Sequence, residues 1–329
     1  MMRFRSFRSS TAVGVAAALA IPALAAGCSV ASAGPVEAPP EKTNIVVDDS
    51  PTIDSAGLYI AQMDGLFRQQ GLNVTIRFAP APQLAVSSVV NGTSDISSAD
   101  YVTYIDNELN DNANLRIIAE ASSLQPNSLE MLVGPQSQVK TLAGLEGHTI
   151  AVTAAGDIST LLVRALLSEN GVRTRSVNIQ FGFPLNNVAQ QLDAGQASAA
   201  PIPEPFASEG QQQYGLQELA DVDQGGTKNF PMEGFAVTQA WARQNPDTVV
   251  AFDRALKQGQ EIADSDRSAA EAALEKFLGI KPQTAAVIAL PDYPLSVNTT
   301  QLQRVVDTMV QFSLLPSQDT SFKITHMTG

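Results

Sequence analysis

Residues 45–52 read IVVDDSPT and residues 149–156 read TIAVTAAG, and each stretch opens the same succession of patterns. After the first come a helical stretch (Ser55 to Gln70), Gly71-Leu72, an apolar strand from Val74 to Phe78, the turn Ala79 to Pro82, a helix ending at Asn91-Gly92 and a short strand, Asp95 to Asp100. After the second come a helix (Ile158 to Asn170), Gly171-Val172, a strand from Val177 to Phe181, the turn Gly182 to Pro184, a helix ending at Ala194-Gly195 and the stretch Ala197 to Glu204. Each helix stops at a glycine, the residue that tolerates the left-handed backbone of a helix end. Each strand is a short, apolar, β-branched run, suited to a sheet covered on both faces. The chain therefore holds two copies of β-α-β-α-β, and each is expected to give a parallel sheet with right-handed crossovers.

Working outward, Arg116 to Glu120 and Ser128 to Val133 lie between the copies as strand-like stretches, and Leu216 to Asp221 and Glu233 to Thr238 follow the second copy. From Trp241 the chain reads as helical. Arg243 to Ala263, Ser268 to Leu278 and Thr300 to Leu314 carry apolar residues at three-to-four spacing, interrupted by Pro282, Pro291 and Pro294. These patterns predict an α/β protein of two lobes, each a mostly parallel sheet flanked by helices. Lobe 1 takes residues 43–125 with 235–329 and lobe 2 takes 126–234, the chain crossing near 122–132 and 228–238. Open parallel sheets bind ligands beyond the carboxyl ends of their strands. Six loops are thereby expected around one cleft: Asp48–Ser55, Ala79–Pro82, Ser97–Tyr101, Thr153–Asp157, Gly182–Asn186 and Pro201–Pro205. Several precede helices, so backbone amides and positive dipole ends should point inward.

The composition, 44% hydrophobic and 16% charged, is that of a folded protein, not a disordered one. Acidic residues outnumber basic ones 33 to 20, for a net charge of −13. A surface that acidic repels phosphate backbones, which argues against nucleic acid as a partner. The lone cysteine, Cys28, excludes an intrachain disulfide. With only His148 and His326 beside it, a closed Cys/His zinc site is excluded as well. No cofactor and no metal are expected.

The first 28 residues read as an export address. A basic stretch (Met1 to Ser10) precedes an apolar run from Thr11 to Ala26, and Leu24-Ala25-Ala26-Gly27 leads into Cys28. That is the order of a cleaved signal peptide over residues 1–27, and the apolar run, broken by Gly14 and Pro22, is short for a membrane span. A cysteine directly after small residues resembles the lipid-acceptor site of bacterial lipoproteins, although Ala25 stands where leucine is usual. Acyl chains such as palmitate on Cys28 would hold the protein at the outer face of the cell membrane, since several chains anchor where one binds marginally. Loss of Arg3, Arg5 and Arg8 with the signal takes the net charge from −13 to −16. Residues 28–42, rich in Ala, Ser, Gly, Pro and Glu, read as a flexible tether.

Ala56-Gly57-Leu58-Tyr59-Ile60-Ala61, Asp64-Gly65-Leu66-Phe67, Gly71-Leu72-Asn73-Val74 and Asn91-Gly92-Thr93-Ser94-Asp95-Ile96 stand in an order that resembles one family. It is the family of ABC-importer substrate-binding proteins for nitrate, sulfonates, taurine and thiamine-pyrimidine precursors. Leu142 to Val152 looks like its second-lobe start and Glu204-Pro205 like its later cleft motif, so the resemblance covers roughly residues 44–240. It implies a two-lobe, periplasmic-binding-protein-like fold (type II) that closes on a small-molecule ligand, a monomer that delivers its solute to an ABC permease with its ATPase, and no catalysis. The Gly57–Ala61 stretch resembles the thiamine-precursor branch most, yet Ser55 stands where that branch carries histidine. One branch of the fold synthesises a pyrimidine using histidine and a cysteine-rich motif, and those cysteines are missing here. An anchored ligand sensor without transport is the alternative outside import.

The cleft loops are rich in acids. Asp48, Asp49, Asp54, Asp100, Asp157 and Glu204 fall in or beside them, whereas no Arg or Lys does. The expected ligand-binding residues are Ser50, Thr52, Asp54, Ser98, Asp100, Tyr101, Thr153, Gly156, Asp157 and Glu204, with Cys28 for lipid. Asp157 is also placed to cap the helix that follows it. Asp100 and Glu204 hold matching positions in the two copies, and Tyr101 is placed to stack on a planar ligand. A sulfonate or nitrate wants arginine forks or helix amides with few acids nearby, and only the amides are on offer. Amino groups, aminopyrimidine edges or hydroxyls suit an acid-rimmed cleft better. No Gly-x-Ser-x-Gly, P-loop or Gly-x-Gly-x-x-Gly occurs, and His148, between a glycine and a strand start, reads as a solvated turn residue. An enzyme is not expected.

Overall fold

A computed structural model describes residues 38–315 and 324–328. The signal segment, Cys28, the first part of the tether and the side chain of His326 lie outside the described residues. Ten strands alternate with helices. The strands are β1 (Asn44–Asp49), β2 (Asn73–Phe78), β3 (Ile96–Asp100), β4 (Leu115–Ser123), β5 (Leu129–Val133), β6 (Thr149–Ala151), β7 (Asn178–Gln180), β8 (Ala199–Pro203), β9 (Gln217–Asp221) and β10 (Pro231–Thr238). The helices before the second crossing are α1 (Ala56–Met63), α2 (Leu66–Gln69), α3 (Pro82–Val90), α4 (Tyr101–Asp111), α5 (Ile158–Glu169), α6 (Leu185–Asp193) and α7 (Phe206–Tyr214). After it come α8 (Gln239–Gln244), α9 (Pro246–Ser265), α10 (Arg267–Leu278), α11 (Pro282–Ala285), α12 (Thr299–Gln311) and α13 (Thr325–Thr328).

The strands form two five-stranded sheets, ordered β2-β1-β3-β10-β4 and β7-β6-β8-β5-β9. The two orders correspond strand for strand, as the duplicated pattern implies. One feature departs from a purely parallel arrangement. In each sheet the fourth strand is antiparallel and comes from across a crossing: β10 runs against β3 and β4, and β5 runs against β8 and β9. The chain leaves the first sheet after Ser123, joins the second at Leu129, and returns between Asp221 and Pro231. A strand that has just crossed arrives from the cleft side, so it must run back down the sheet it joins.

The helix predicted from Ser55 to Gln70 breaks into α1 and α2 at Gly65, whose positive φ of 70° only glycine adopts without strain. α1 lies against α9 with backbones close enough that a Cβ on Gly259 would fall 2.1 Å from the Gly57 carbonyl oxygen. On α12, Leu302, Val305, Val306 and Met309 are buried at the spacing of one helix face. That face belongs to one apolar cluster containing Val102 and Ile105 of α4 and Leu161 and Leu162 of α5. α12 therefore packs on both lobes, each such side chain contributing about 1.5–3 kcal/mol of burial. The tether is shorter than its composition suggests: Glu41 accepts hydrogen bonds from the Asp247 and Thr248 amides at the start of α9, and Lys42 pairs with Asp95 at 2.5 Å.

The return crossing is held from both sides. Arg304 of α12 donates to the Lys228 carbonyl at 2.8 Å and to that of Gly226, and its guanidinium lies 5.0 Å from the Phe230 ring. Glu169 of α5 accepts from the Gly226 amide at 2.6 Å. The return crossing is thus tied to α5 of lobe 2 and to α12.

Candidate functional site

The carboxyl ends of β1, β3, β6 and β8 lead into loops and helix starts whose acids Asp49, Asp54, Asp100, Asp157 and Glu204 are buried. Along β1, successive side chains point to opposite faces, which separates two acids that look alike in sequence. Asp48 leaves the cleft and forms a two-pronged ion pair with Arg77 of β2, at 2.6 and 2.9 Å. Asp49 points inward and is fully buried, accepting from Ser55 Oγ at 2.5 Å and Tyr59 Oη at 2.6 Å. Burial pushes its pKa up to about 7, against the lowering effect of those donors. Asp48, counted among the acids in or beside the cleft loops, is thereby taken up by a basic partner on the neighbouring strand.

Ser50 is buried. Thr52 caps the turn Ile53–Ser55 and donates to Asp54 Oδ2 at 2.7 Å. Asp54 is buried, and its pKa is raised by that burial, with Ser122 close enough to ease its ionisation. Ser98 Oγ lies 3.5 Å from Ser55 Oγ.

Three helices begin at the cleft, and a carboxylate just ahead of the first turn of each accepts from that helix's start. At α4, Asp100 accepts from the Thr103 amide at 2.9 Å and from Thr103 Oγ1 at 2.7 Å. At α5, Asp157 accepts from the Ala154 and Thr160 amides at 3.0 and 3.1 Å, so the capping role read from the sequence is present. At α7, Glu204 accepts from the Ser208 amide at 3.0 Å and from Ser208 Oγ at 2.7 Å. Asp100 and Glu204 match in role but not in register. Asp100 is the last residue of β3, whereas β8 ends at Pro203. Glu204 stands one residue further on, and its longer side chain reaches one residue further into its helix.

These acids are brought together across the lobes. A Cβ on Gly156, which is half-buried beside Asp157, would lie 3.9 Å from Asp106 of α4. Glu204 also accepts from the Ala289 amide, beyond the return crossing, at 3.3 Å. Burial raises the pKa of Asp100 to about 6. Burial and then the charge of Asp100 raise that of Asp157 to about 7, and burial raises that of Glu204. Thr153 is half-buried, its carbonyl accepting from the Gly182 amide at 3.0 Å. The Tyr101 ring is placed differently from the expectation: it is wholly buried in the apolar cluster beneath the cleft and offers no face for stacking. His148 is exposed, 3.1 Å from Ser198 Oγ, at the end of β6 away from the cleft.

Three further acids escaped sequence reasoning. Glu120 on β4 is 3% exposed and accepts from the Asn298 amide, and burial lifts its pKa to about 7. Glu130 on β5, lifted to about 7 chiefly by burial, accepts from Gln211 at 2.6 Å. Glu233 on β10 is 6% exposed, with its pKa raised by burial and then by the charges of Asp54, Asp49 and Asp100. The available signal was a carboxylate inside an apolar strand run. Among the described residues, no three His, Cys, Asp or Glu side chains converge closely enough to hold a metal ion, and no helix is long and apolar enough to cross a membrane.

Two sheets of like order, joined by two crossings, with buried polar groups at their facing strand ends, define the periplasmic-binding-protein class of fold. The sequence profile of the NMT1/THI5-like family matches residues 52–270, and the chain belongs to that family. No curated protein sequence matches the chain closely enough to count as a relative. Among solved structures, it is similar to the alkanesulfonate-binding protein SsuA from Xanthomonas axonopodis pv. citri bound to MOPS, with 20% identity, a TM-score of 0.71 and coverage of 84% of this chain and 95% of that one. The periplasmic nitrate-binding protein NrtA from Synechocystis PCC 6803 superposes with 16% identity, a TM-score of 0.73 and coverage of 86% and 85%. A ligand-binding component of an ABC-type import system from Staphylococcus aureus does so with 13% identity, a TM-score of 0.74 and coverage of 88% and 97%.

Proposed function

We propose that this protein is the exported solute-binding component of an ABC importer, capturing a small, donor-rich polar solute between its lobes and delivering it to a permease. The observation that carries the solute's character is the state of the helix ends. The amides of Thr103, Ala154, Thr160 and Ser208, which an anion would need, already donate to carboxylates of the chain. An anion would meet further like charge in a poorly screened interior. Amino groups, an aminopyrimidine edge or hydroxyls find acceptors instead. The sulfonate- and nitrate-binding neighbours favour the second reading, an anionic solute, and a thermal-shift screen over sulfonates, nitrate, amines, pyrimidines and polyols separates the two. A solute at 100 times its Kd adds about 2.7 kcal/mol of stability. A permease and ATPase encoded beside this gene would support import over an anchored sensor.

Capture implies relative motion of the lobes, since buried acids are reached only when the lobes part, and hinge closure is the usual response to a ligand in such a cleft. Saturating solute should shrink the radius of gyration in solution scattering with no change in far-ultraviolet circular dichroism. An unaltered radius would count against a closing cleft.

Anchoring is proposed through Cys28. Cys28→Ala should leave the fold unchanged and move the protein from the membrane fraction to the soluble exported fraction. A variant that still sediments with membranes, its precursor normally processed, would refute the anchor.

A further inference from the structure

The acids at the helix ends are engaged, but one group beneath them is not. Glu233 is 6% exposed and its Oε2 has no hydrogen-bond partner among the described residues. The fully buried hydroxyls of Tyr101 and Ser122 likewise have none. Buried polar atoms are satisfied in the great majority of cases, so each exception calls for an explanation. Two of the three, Glu233 and Ser122, are cross-strand neighbours on one face of the sheet. In the sheet, Glu233 lies directly between Asp100 of β3 and Ser122 of β4. The Tyr101 hydroxyl belongs to the other face: it lies against Gly234, where a Cβ would be 2.5 Å from it, and successive strand residues point to opposite sides.

The backbone supports the same placement. The pairing of β10 with β4 shifts register on both sides of Glu233, and such bulges re-aim side chains beside functional sites. Glu233 begins the return strand, immediately after the crossing that Arg304 and Glu169 hold. A carboxyl group there, with Ser98 near enough to ease its ionisation but Oε2 left without a partner and acids on the neighbouring loops, is costly to ionise unless a further donor arrives.

We propose that Glu233, beside the Ser122 hydroxyl, is the specificity-determining anchor of the cleft and selects a solute with a cationic or amidine-type N–H group. This inference rests on the reading of the protein as a solute-binding component and deepens it. The Glu233 carboxylate accepts the N–H donor, and the Ser122 hydroxyl, donor and acceptor at once, adjusts to the rest of the polar edge. An anion, which offers acceptors alone, leaves the carboxylate unsatisfied and repelled.

The test uses the full processed chain, with 4-aminopyrimidine, benzamidine and putrescine as donor probes and ethanesulfonate and nitrate as anion probes. Binding is measured by calorimetry and thermal shift on the wild type and on Glu233→Gln. At least one donor probe should bind the wild type, and Glu233→Gln should weaken it 10-fold or more. The unliganded variant should melt at or above the wild-type temperature, because glutamine relieves buried like charge; a carboxylate needed only for folding would lower it. Equal affinity in the two proteins overturns the inference. Anion binding that tightens in Glu233→Gln also overturns it, while leaving the solute-binding reading intact. Failure of every probe of both classes to bind the wild type at 10 mM overturns both.

Discussion

Glu204→Gln and Asp100→Asn are each expected to weaken capture of a donor-rich solute by about 10-fold to 150-fold. A charge-assisted hydrogen bond contributes about 1.5–3 kcal/mol, and the affinity range is that energy converted at 25 °C. Both carboxylates already serve helix ends, Asp100 with Thr103 and Glu204 with Ser208, yet a carboxylate offers about four acceptor positions and can take a ligand donor as well. The amide replacements keep one acceptor oxygen and turn the other into a donor. Stability should therefore fall by about 0.5–1.5 kcal/mol, the net worth of one hydrogen bond, well below the loss expected if either residue were a core element. Calorimetry gives the affinities and thermal denaturation gives the stabilities. Unaltered affinity in both variants would leave these acids as helix caps alone, and tighter binding would identify the solute as an anion.

The unliganded protein should lose stability as pH rises from 5 to 8. Asp49, Asp100 and Asp157 have pKa values of about 7, 6 and 7, against an ordinary 3.8, and burial is the first cause in each. A group that holds its proton more tightly when folded confers stability that is fully present below its unfolded value. That stability is lost between there and the folded value, here from about pH 4 to pH 7. Each tenfold gain in proton affinity is worth about 1.4 kcal/mol, so these acids together contribute on the order of several kcal/mol. The melting temperature should fall by on the order of 10 °C between pH 5 and pH 8. A flat profile would mean that the cleft acids stay hydrated and ionise as they do in water.

The duplicated β-α-β-α-β pattern was legible because each copy is local: strands 45–49 and 150–152, with their helices and glycine stops, need no partner elsewhere to be recognised. The antiparallel fourth strands were not. Glu233 pairs with Asp100 across more than a hundred residues of chain, and nothing near either residue encodes that neighbour. The same limit hid Glu120 and Glu233, which look like ordinary polar residues in strand runs until the sheet order places them beneath the cleft. Asp48 and Asp49 show a shorter-range failure. Adjacent acids at a strand end are equivalent in composition, and the pleat alone sends one to Arg77 and the other to Ser55 and Tyr59. Capping chemistry was legible at Asp157, whose Asp-x-x-Thr spacing places a carboxylate under the Thr160 amide, and Asp100 with Thr103 has the same spacing. At Asp100 and Glu204 the same role went unread, and the amides that the sequence left on offer to an anion turn out to be taken by carboxylates of the chain.

The sign of the solute's charge is the point on which this reading stands. Calorimetry of the solute selected by the screen, at pH 5.5 and pH 7.5 in two buffers of different ionisation enthalpy, yields both the affinity and the number of protons exchanged. A donor-rich or cationic solute favours the ionised acids, so binding should tighten by about 10-fold or more at the higher pH, with net proton release. Tighter binding at pH 5.5 with proton uptake would contradict it, because that is how an anion binds among carboxyl groups that must first be neutralised.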